Sequence, residues 1–424
     1  MPNDKVAPPQ QPTQPIVQNP FTDIINLILN GRETVTILLD AIVKHAQDEK
    51  ASDIHIEPQE KELVIRYRVD GMLRVIAVID KTLEESLIFR IKVASKLRTD
   101  EHFAPQDGKI RFIFGDRKLD TRISILPTTM GEKVVIRLLS QDDKSFDLKD
   151  LGVNEKDLIV IEKSYRKPFG MILSTGPTGS GKTTTLYSIL QHLNSPEINI
   201  TTIEDPVEYD IEGVNHIQIN PKAKLTFASG LRSILRQDPN VIMVGEIRDK
   251  ETARIAINAA LTGHLVLSTL HTNDAITTIP RLIDMGIEPF LVASTVNLVV
   301  GQRLARKLCQ HCKQAFTLDA QMVNYIQKLR PDFSSLLKEG ETLYREVGCA
   351  ECGGTGFKGR IGLYEVLEVT EPIRKIIIES SNFDDIFAAA RKQGLVLMLE
   401  DGVNKLRTGL ISATEIMRIT ALKE

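Results

Sequence analysis

The sequence predicts an α/β protein whose parallel sheet carries a phosphate-binding loop, with a smaller α+β domain in front of it. Three features predict this. The stretch Gly176-Pro177-Thr178-Gly179-Ser180-Gly181-Lys182-Thr183 has phosphate-loop spacing. It lies between an apolar run at residues 169–175 and a segment that puts Leu186, Ile189, Leu190 and Leu193 on one helical face. Two further apolar runs, at residues 198–203 and 241–244, end in carboxylates, as strands do beside a bound ligand in a parallel sheet. Residues 34 to 150 switch instead between helical and two-residue periods, the mark of a separate α+β unit.

Composition sets the bounds. A chain of 424 residues with 42% hydrophobic residues has room for two or three domains with real cores. A formal net charge of -3 gives no global basic field to hold a polyanion, which argues against nucleic acid as the main substrate. No uninterrupted apolar stretch approaches membrane-spanning length, and the N-terminus has neither a basic start nor an apolar run, so a cytoplasmic chain is expected.

Residues 1–33 begin with a Pro/Gln-rich stretch, too poor in apolar groups to offset the entropy of ordering, and are expected to form a flexible tail and linker. From Thr34, the spacing of Ile37, Leu38, Ile42 and Val43 predicts a helix. Ile54 and Ile56, then Leu63, Ile65, Tyr67 and Val69, alternate with other residues as two antiparallel strands do. Ile88, Ile91, Val93, Ala94 and Leu97 suggest a second helix, and residues 109–126 read as a hairpin turned at Gly115-Asp116. Arg66, Arg68, Arg122 and Arg137 lie on these strands. A solvated face explains strand arginines; in a ring of copies such a residue could instead reach a neighbour's phosphate.

In the phosphate loop, glycines let the backbone N–H groups turn inward, and the helix N-terminus adds about half a positive charge. Lys182 would reach the outer phosphates, the Thr183 hydroxyl would bind magnesium, and Thr184 completes the first turn. Past the strand at 198–203 come Glu204, Asp205 and Glu208, any of which could position an attacking water. The strand at 241–244 closes with Gly245 and Glu246 where phosphate-loop enzymes ordinarily place a magnesium-holding aspartate, so Glu246 must supply that charge. His264 opens the next strand and His271 ends it, both candidates to sense the γ-phosphate, ahead of a helix capped by Asn273 or Asp274.

Cys309, Cys312, Cys349 and Cys352 are the chain's four cysteines, two C-x-x-C pairs separated by 36 residues. Four thiolates from two knuckles make a closed tetrahedral zinc site with no open position for chemistry. Unliganded reduced thiols and a redox pair are the alternatives, and His311 could compete as a ligand. Zinc ribbons on nucleic acid have the same spacing. Beyond Gly362 the spacing of Ile373, Ile376, Ile377, Ile386, Phe387 and Ala390 predicts helices, and Ser412-Ala-Thr-Glu415 has capping-box form.

Taken together, GPTGSGKT, ITTIEDPVEY, VIMVGEIRD and the histidine-bearing segment resemble the secretion ATPases that drive type IV pilus assembly and type II secretion, over roughly residues 34–424. The resemblance implies a RecA-like ATPase domain, a smaller PAS-like N-terminal domain and a ring of six chains working on an inner-membrane platform protein. ATP, Mg2+ and Zn2+ are the implied cofactors, at the inner face of the cytoplasmic membrane. It implies that Lys182 and Thr183 bind phosphate and magnesium, that Glu204 or Glu208 belongs to the box activating water, and that Glu246 completes the metal site. Arg122, in DTRIS, matches an arginine used across the subunit boundary, with Arg137 a weaker candidate. The tetracysteine motif separates the chain from pilus retraction ATPases, which generally lack it. The implied domains are 1–33 tail, 34–150 PAS-like, 151–308 RecA-like, 309–360 zinc insert and 361–424 helical subdomain. Two departures stand out. Phe103 replaces a basic residue frequent in the family, and a Pro/Gln tail stands where a further docking domain is usual. The rival classes are a DNA-translocating or conjugation ATPase and a non-hydrolysing nucleotide-binding scaffold.

Overall fold

The computed structural model describes residues 35–115, 117–139, 147–380 and 382–420, so the expected Pro/Gln tail lies outside the described residues. The chain divides at Asp142 into two compact units.

The first unit opens with α1 (Val35–Asp48), which buries Leu38, Leu39, Ile42, Val43 and Ala46. Six strands follow: β1 (Asp53–Pro58), β2 (Glu62–Val69), β3 (Met72–Asp80), β4 (Gln106–Phe114), β5 (Arg117–Thr128) and β6 (Gly131–Leu139), with α2 (Glu84–Ala94) between β3 and β4. They form one antiparallel sheet in the order β3-β2-β1-β6-β5-β4. The alternation foreseen in β2 is real: Leu63, Ile65 and Tyr67 are fully buried on the core face. The β4–β5 hairpin turns at Gly115, whose φ of 62° suits a residue without Cβ. β3 was not among the foreseen strands, and β6 was foreseen only in placing Arg137 on a strand. Leu97 lies past the end of α2, and Val93 points outward, because the helix stops at Ala94.

In the second unit, α3 (Glu155–Tyr165) precedes β7 (Gly170–Thr175), α4 (Lys182–Leu193), β8 (Ile200–Glu204), β9 (Val214–Gln218), α5 (Phe227–Ile234), β10 (Val241–Val244), α6 (Lys250–Leu261) and β11 (Leu265–Leu270). Next come α7 (Thr278–Asp284), α8 (Pro289–Thr295), β12 (Val296–Leu308), β13 (Gln314–Thr317), α9 (Ala320–Leu329), α10 (Pro331–Ser334), β14 (Thr342–Arg345) and β15 (Phe357–Glu368). The chain closes with α11 (Glu371–Glu379), α12 (Phe383–Lys392), α13 (Met398–Arg407) and α14 (Ala413–Thr420). The main sheet runs β15-β12-β7-β11-β10-β8-β9, parallel except for the antiparallel edge strand β15. Met171 and Leu173 of β7 face a cluster with α6, α7 and α8, whereas Ile172 faces another with α3 and α4. Both faces are covered, which is why these strands read as continuous apolar runs. Among the described residues no helix is long and apolar enough to cross a membrane.

Three local expectations need correction. Residues 361–368 are not helical: they belong to β15, whose Ile361–Leu367 backbone pairs with β12, and helix begins only at Glu371. A strand buried on both faces has no two-residue signature to announce it. Second, α7 starts at Thr278, and Asp274 closes the turn before it, its Oδ1 accepting the Thr277 N–H at 2.8 Å.

Third, Ser412 Oγ accepts the Glu415 N–H at 3.4 Å, but the Glu415 carboxylate does not return to the cap. It accepts three hydrogen bonds from Arg306 on β12, one from the backbone N–H at 2.8 Å and two from the guanidinium at 2.8 and 3.0 Å, and two from Arg418, at 2.6 and 2.9 Å. Burial alone would raise the Glu415 pKa; the bonds from Arg418 and Arg306 bring it down to about 2. A carboxyl depressed on folding adds stability above its unfolded pKa, about 4.3, and that stability is lost as pH falls toward 2. Glu415→Gln should therefore cost about 3 kcal/mol at neutral pH, since it strands Arg306. Urea unfolding of both proteins from pH 7 to pH 3 should show the gap narrowing below about pH 4.

Candidate functional site

β7 lies inside the sheet between β12 and β11, and its buried backbone delivers the phosphate loop to the start of α4. Gly176, Gly179 and Gly181 take φ of 146°, 77° and 89°. At Gly176 space also decides, because a Cβ there would lie 2.3 Å from the Gln302 carbonyl oxygen. Pro177, Thr178 and Gly179 form the exposed tip of the loop, and Thr183 and Thr184 are half-buried on the first turn of α4.

The Lys182 Nζ is buried and donates to the carbonyls of Gly176 and Pro177 at 2.9 and 3.0 Å. Burial lowers its pKa, and the Glu246 carboxylate works in the opposite direction. Ser180 Oγ is buried with no partner among the described residues. An ammonium, an unpartnered buried hydroxyl and a helix N-terminus around glycines fit a polyphosphate with its divalent ion.

Gln302, on β12, braces this loop from outside the motif. Its Oε1 accepts from Ser174 Oγ at 3.1 Å, and its Nε2 donates to the Ser180 carbonyl at 2.8 Å. Thr175 Oγ1 donates to the carbonyls of Leu270 and Thr272, both at 3.1 Å, joining the loop to the end of β11. Glu365 on β15 accepts the Ala275 N–H at 3.0 Å and so fixes the segment after His271. None of these residues is announced by a local motif; only strand pairing brings them to the loop.

The acidic residues gather at the carboxyl ends of the neighbouring strands β8 and β10, where Ile203 is paired with Val244. Gly245 lets the strands close, since a Cβ would approach the Glu204 Cα to 3.3 Å. Glu246 accepts from Arg248 Nε at 2.7 Å and lies 3.3 Å from His271 Nε2. Glu204 is buried, Glu208 half-buried and Asp205 exposed. Asp205 lies close enough to Arg248 to help raise its pKa, after the larger effect of Glu246.

His271 follows β11 at the same sheet edge as the loop, for Leu270 pairs with Thr175. His264 precedes β11 at the opposite edge, about 20 Å away for a six-residue strand. There its ring Nδ1 lies 3.0 Å from the Ala259 carbonyl. The expectation that both histidines face one phosphate therefore fails within the chain.

In the first unit, Lys109, Arg122, Arg137, Asp53 and Arg68 stand opposite one another across five strands. Asp53 accepts from Arg137 at 2.9 Å and pairs with Arg68 at 3.4 Å, while Arg66 pairs with Glu57 at 2.6 Å. Of the four cations in this row, Arg68 and Arg137 pair with Asp53, and Lys109 helps to lower the pKa of Asp120 on the neighbouring strand after the larger effect of Arg111.

Cys309 follows β12 directly, and Cys352 stands shortly before β15. The four cysteine sulfurs lie within 4.8 Å of one another, with Cys309–Cys349, Cys312–Cys352 and Cys349–Cys352 at 3.8, 3.9 and 3.8 Å. A tetrahedral zinc with bonds of about 2.3 Å requires edges of about 3.8 Å. Backbone N–H groups of Gly348, Cys349 and Gly356 donate to the sulfurs, stabilising thiolates. Burial opposes charge on Cys352, but the Cys349 and Gly356 N–H groups and then the Cys349 and Cys312 thiols bring its pKa to about 6. Burial and the neighbouring thiols push Cys312 up to about 11. The donor set fits zinc, and His311 is exposed outside it.

A profile described as Type II/IV secretion system protein matches residues 29–418. The chain is 46% identical to the type II secretion system ATPase E of Vibrio cholerae, over 90% of this chain and 75% of that one. It is 42% identical to the type IV pilus assembly ATPase PilB of Myxococcus xanthus, over 95% of this chain and 68% of that one. The solved pilus retraction motor PilT with bound ADP is 26% identical, with a TM-score of 0.61 over 90% of this chain and 96% of its own. The DotB ATPase of Legionella pneumophila, 24% identical, shares the fold at a TM-score of 0.68 over 92% and 96%. The RecA-like sheet and the smaller α+β unit expected from the sequence thus have their counterparts, and the chain belongs to the type II/IV secretion system protein family.

Proposed function

We propose that the chain is the ATP-hydrolysing motor of a type II secretion or type IV pilus assembly machine. The observation that carries this is the phosphate loop at the end of β7 with Glu246 and His271 at the same edge of the sheet. The named relatives support it. Lys182 binds the outer phosphates and the loop amides hold the remainder. Thr183 and Glu246 would hold magnesium, which when bound neutralises phosphate charge. His271 orients Glu246, and Glu208 positions the attacking water. Arg122 or Arg137 of a second copy meets the γ-phosphate, so six copies in a ring complete one another's sites. Hydrolysis at such a boundary reorients two chains, and an inner-membrane platform protein on the cytoplasmic side receives the motion. Zinc closes the cysteine insert as a structural clip.

Phosphate release and mass photometry on the purified chain test this together. A six-copy particle that hydrolyses ATP is expected, and Glu246→Gln should keep nucleotide binding but lose about 10²–10³-fold in kcat. A ring that binds ATP without turnover would make the protein a scaffold. DNA binding that collapses with salt would make it a DNA translocase.

A further inference from the structure

Residues 204–208, which start on the last residue of β8, hold three carboxylates, and the first of them is enclosed. Glu204 is 2% exposed and accepts from three side chains. Tyr187 Oη donates to its Oε2 at 2.5 Å, and Thr202 Oγ1 donates to its Oε1 at 2.6 Å. His216 Nδ1 lies 2.9 Å from the same Oε1. The imidazole tautomer follows from its other nitrogen, since His216 Nε2 accepts the Ile211 N–H at 3.1 Å. The proton is therefore on Nδ1 and is donated to Glu204.

A buried carboxylate with three donors is a poor base and a poor metal ligand. Either role would require it to give up hydrogen bonds made to its charged form. What it holds is more telling. Tyr187 is fully buried on α4, five residues after Lys182, and its ring meets Tyr209 edge-on at 4.7 Å. Burial, then the Glu204 charge, raise the Tyr187 pKa, so the hydroxyl keeps its proton and donates it to Glu204. Tyr209 stands one residue after Glu208, so its ring contact with Tyr187 ties the segment that bears Glu208 to α4. A chain of contacts thus runs from His216 on β9 through Glu204 to the phosphate-loop helix and back to the segment bearing Glu208.

We infer that Glu204 is a positioning residue, which anchors Tyr187 by its hydroxyl so that the ring holds the Glu208 segment against α4, and itself touches neither the reacting water nor the metal. This rests on the ATPase function proposed above, while its structural half can be measured without nucleotide.

Tyr187→Phe, Glu204→Gln and the double variant test it, after circular dichroism shows that each is folded. Amide hydrogen exchange on the nucleotide-free protein should show the Ile211 amide, two residues past Tyr209 and bonded to His216, exchanging at least about tenfold faster in Tyr187→Phe. ATP turnover should fall by about tenfold in each single variant with KM within about twofold, and the double variant should be no worse than the poorer single. An unchanged Ile211 amide would overturn the inference, and so would losses that multiply in the double variant. A drop of a hundredfold or more in Glu204→Gln beside normal turnover in Tyr187→Phe would place Glu204 on the water or the metal. If Glu204→Gln does not fold, Tyr187→Phe decides alone through the exchange and turnover arms. A wild-type protein without turnover would sink the ATPase function, and the exchange arm would still judge the contact chain.

Discussion

Lys182→Ala is expected to reduce ATP turnover by about 10²–10³-fold or more, the scale seen when one preorganised donor is removed from a developing charge. The Lys182 ammonium is held inside the phosphate loop by the Gly176 and Pro177 carbonyls, so it needs little rearrangement to meet an anion. Its environment also makes it expensive. Burial lowers its pKa with only partial relief from Glu246, which means that the folded chain holds this charge less willingly than water does. Alanine should therefore leave the melting temperature of the nucleotide-free protein unchanged or higher while abolishing turnover, a stability gain at the expense of activity. The depressed pKa adds a pH signature. Turnover should decline on the alkaline side below the pH at which an ordinary lysine, near 10.4, loses its proton. Phosphate release, a melting curve and binding of a fluorescent ATP analogue check all three, and unchanged turnover would remove Lys182 from the site.

Cys352→Ser is expected to empty the cysteine cluster and unfold the two knuckles that form it. Structural zinc sites hold their metal with about 10–16 kcal/mol in small peptides, comparable to the whole stability of a domain at about 5–15 kcal/mol. The rest of the insert has a core of its own, since Leu318, Phe333 and Leu343 are buried against Ala305, Leu363 and Leu406, so the disorder should stay with the two knuckles. Elemental analysis should find one zinc per wild-type chain and none in the variant. The four wild-type thiols should resist alkylation until a chelator is added. Rapid alkylation of all four in the native, metal-free protein would show that they are ordinary thiols.

The site was legible in the sequence wherever chemistry is local. Glycine spacing, one lysine and the apolar run before them define the phosphate loop because a strand, a turn and a helix are contiguous. The cysteine pairs are legible for the same reason, each knuckle being a short segment with both ligands. Legibility ended where pairing is distant. Gln302 reaches the loop because β12 is β7's neighbour, and nothing within a few residues of Gln302 says so. β15 escaped because its core stretch is buried on both faces and so lacks alternation. Glu204 and Glu208 look equivalent on paper, both at the end of one strand. The donors that distinguish them come from α4 and β9. His264 and His271 flank one strand, but direction matters, and only the parallel register with β7 reveals which end meets the loop.

β12 ties two of these features into one mechanical part. Gln302 grips the phosphate loop, and seven residues further along the same strand Cys309 enters the metal knuckle. At about 3.3 Å per residue the span is near 23 Å of continuous backbone, stiffened on one side by β15 and interrupted by a single bulge between Arg306 and Leu308. A pull on the cysteine cluster would travel along this backbone to Gln302 and pass to the phosphate loop through its hydrogen bonds with Ser174 and Ser180, and the bulge is where such a lever would bend first.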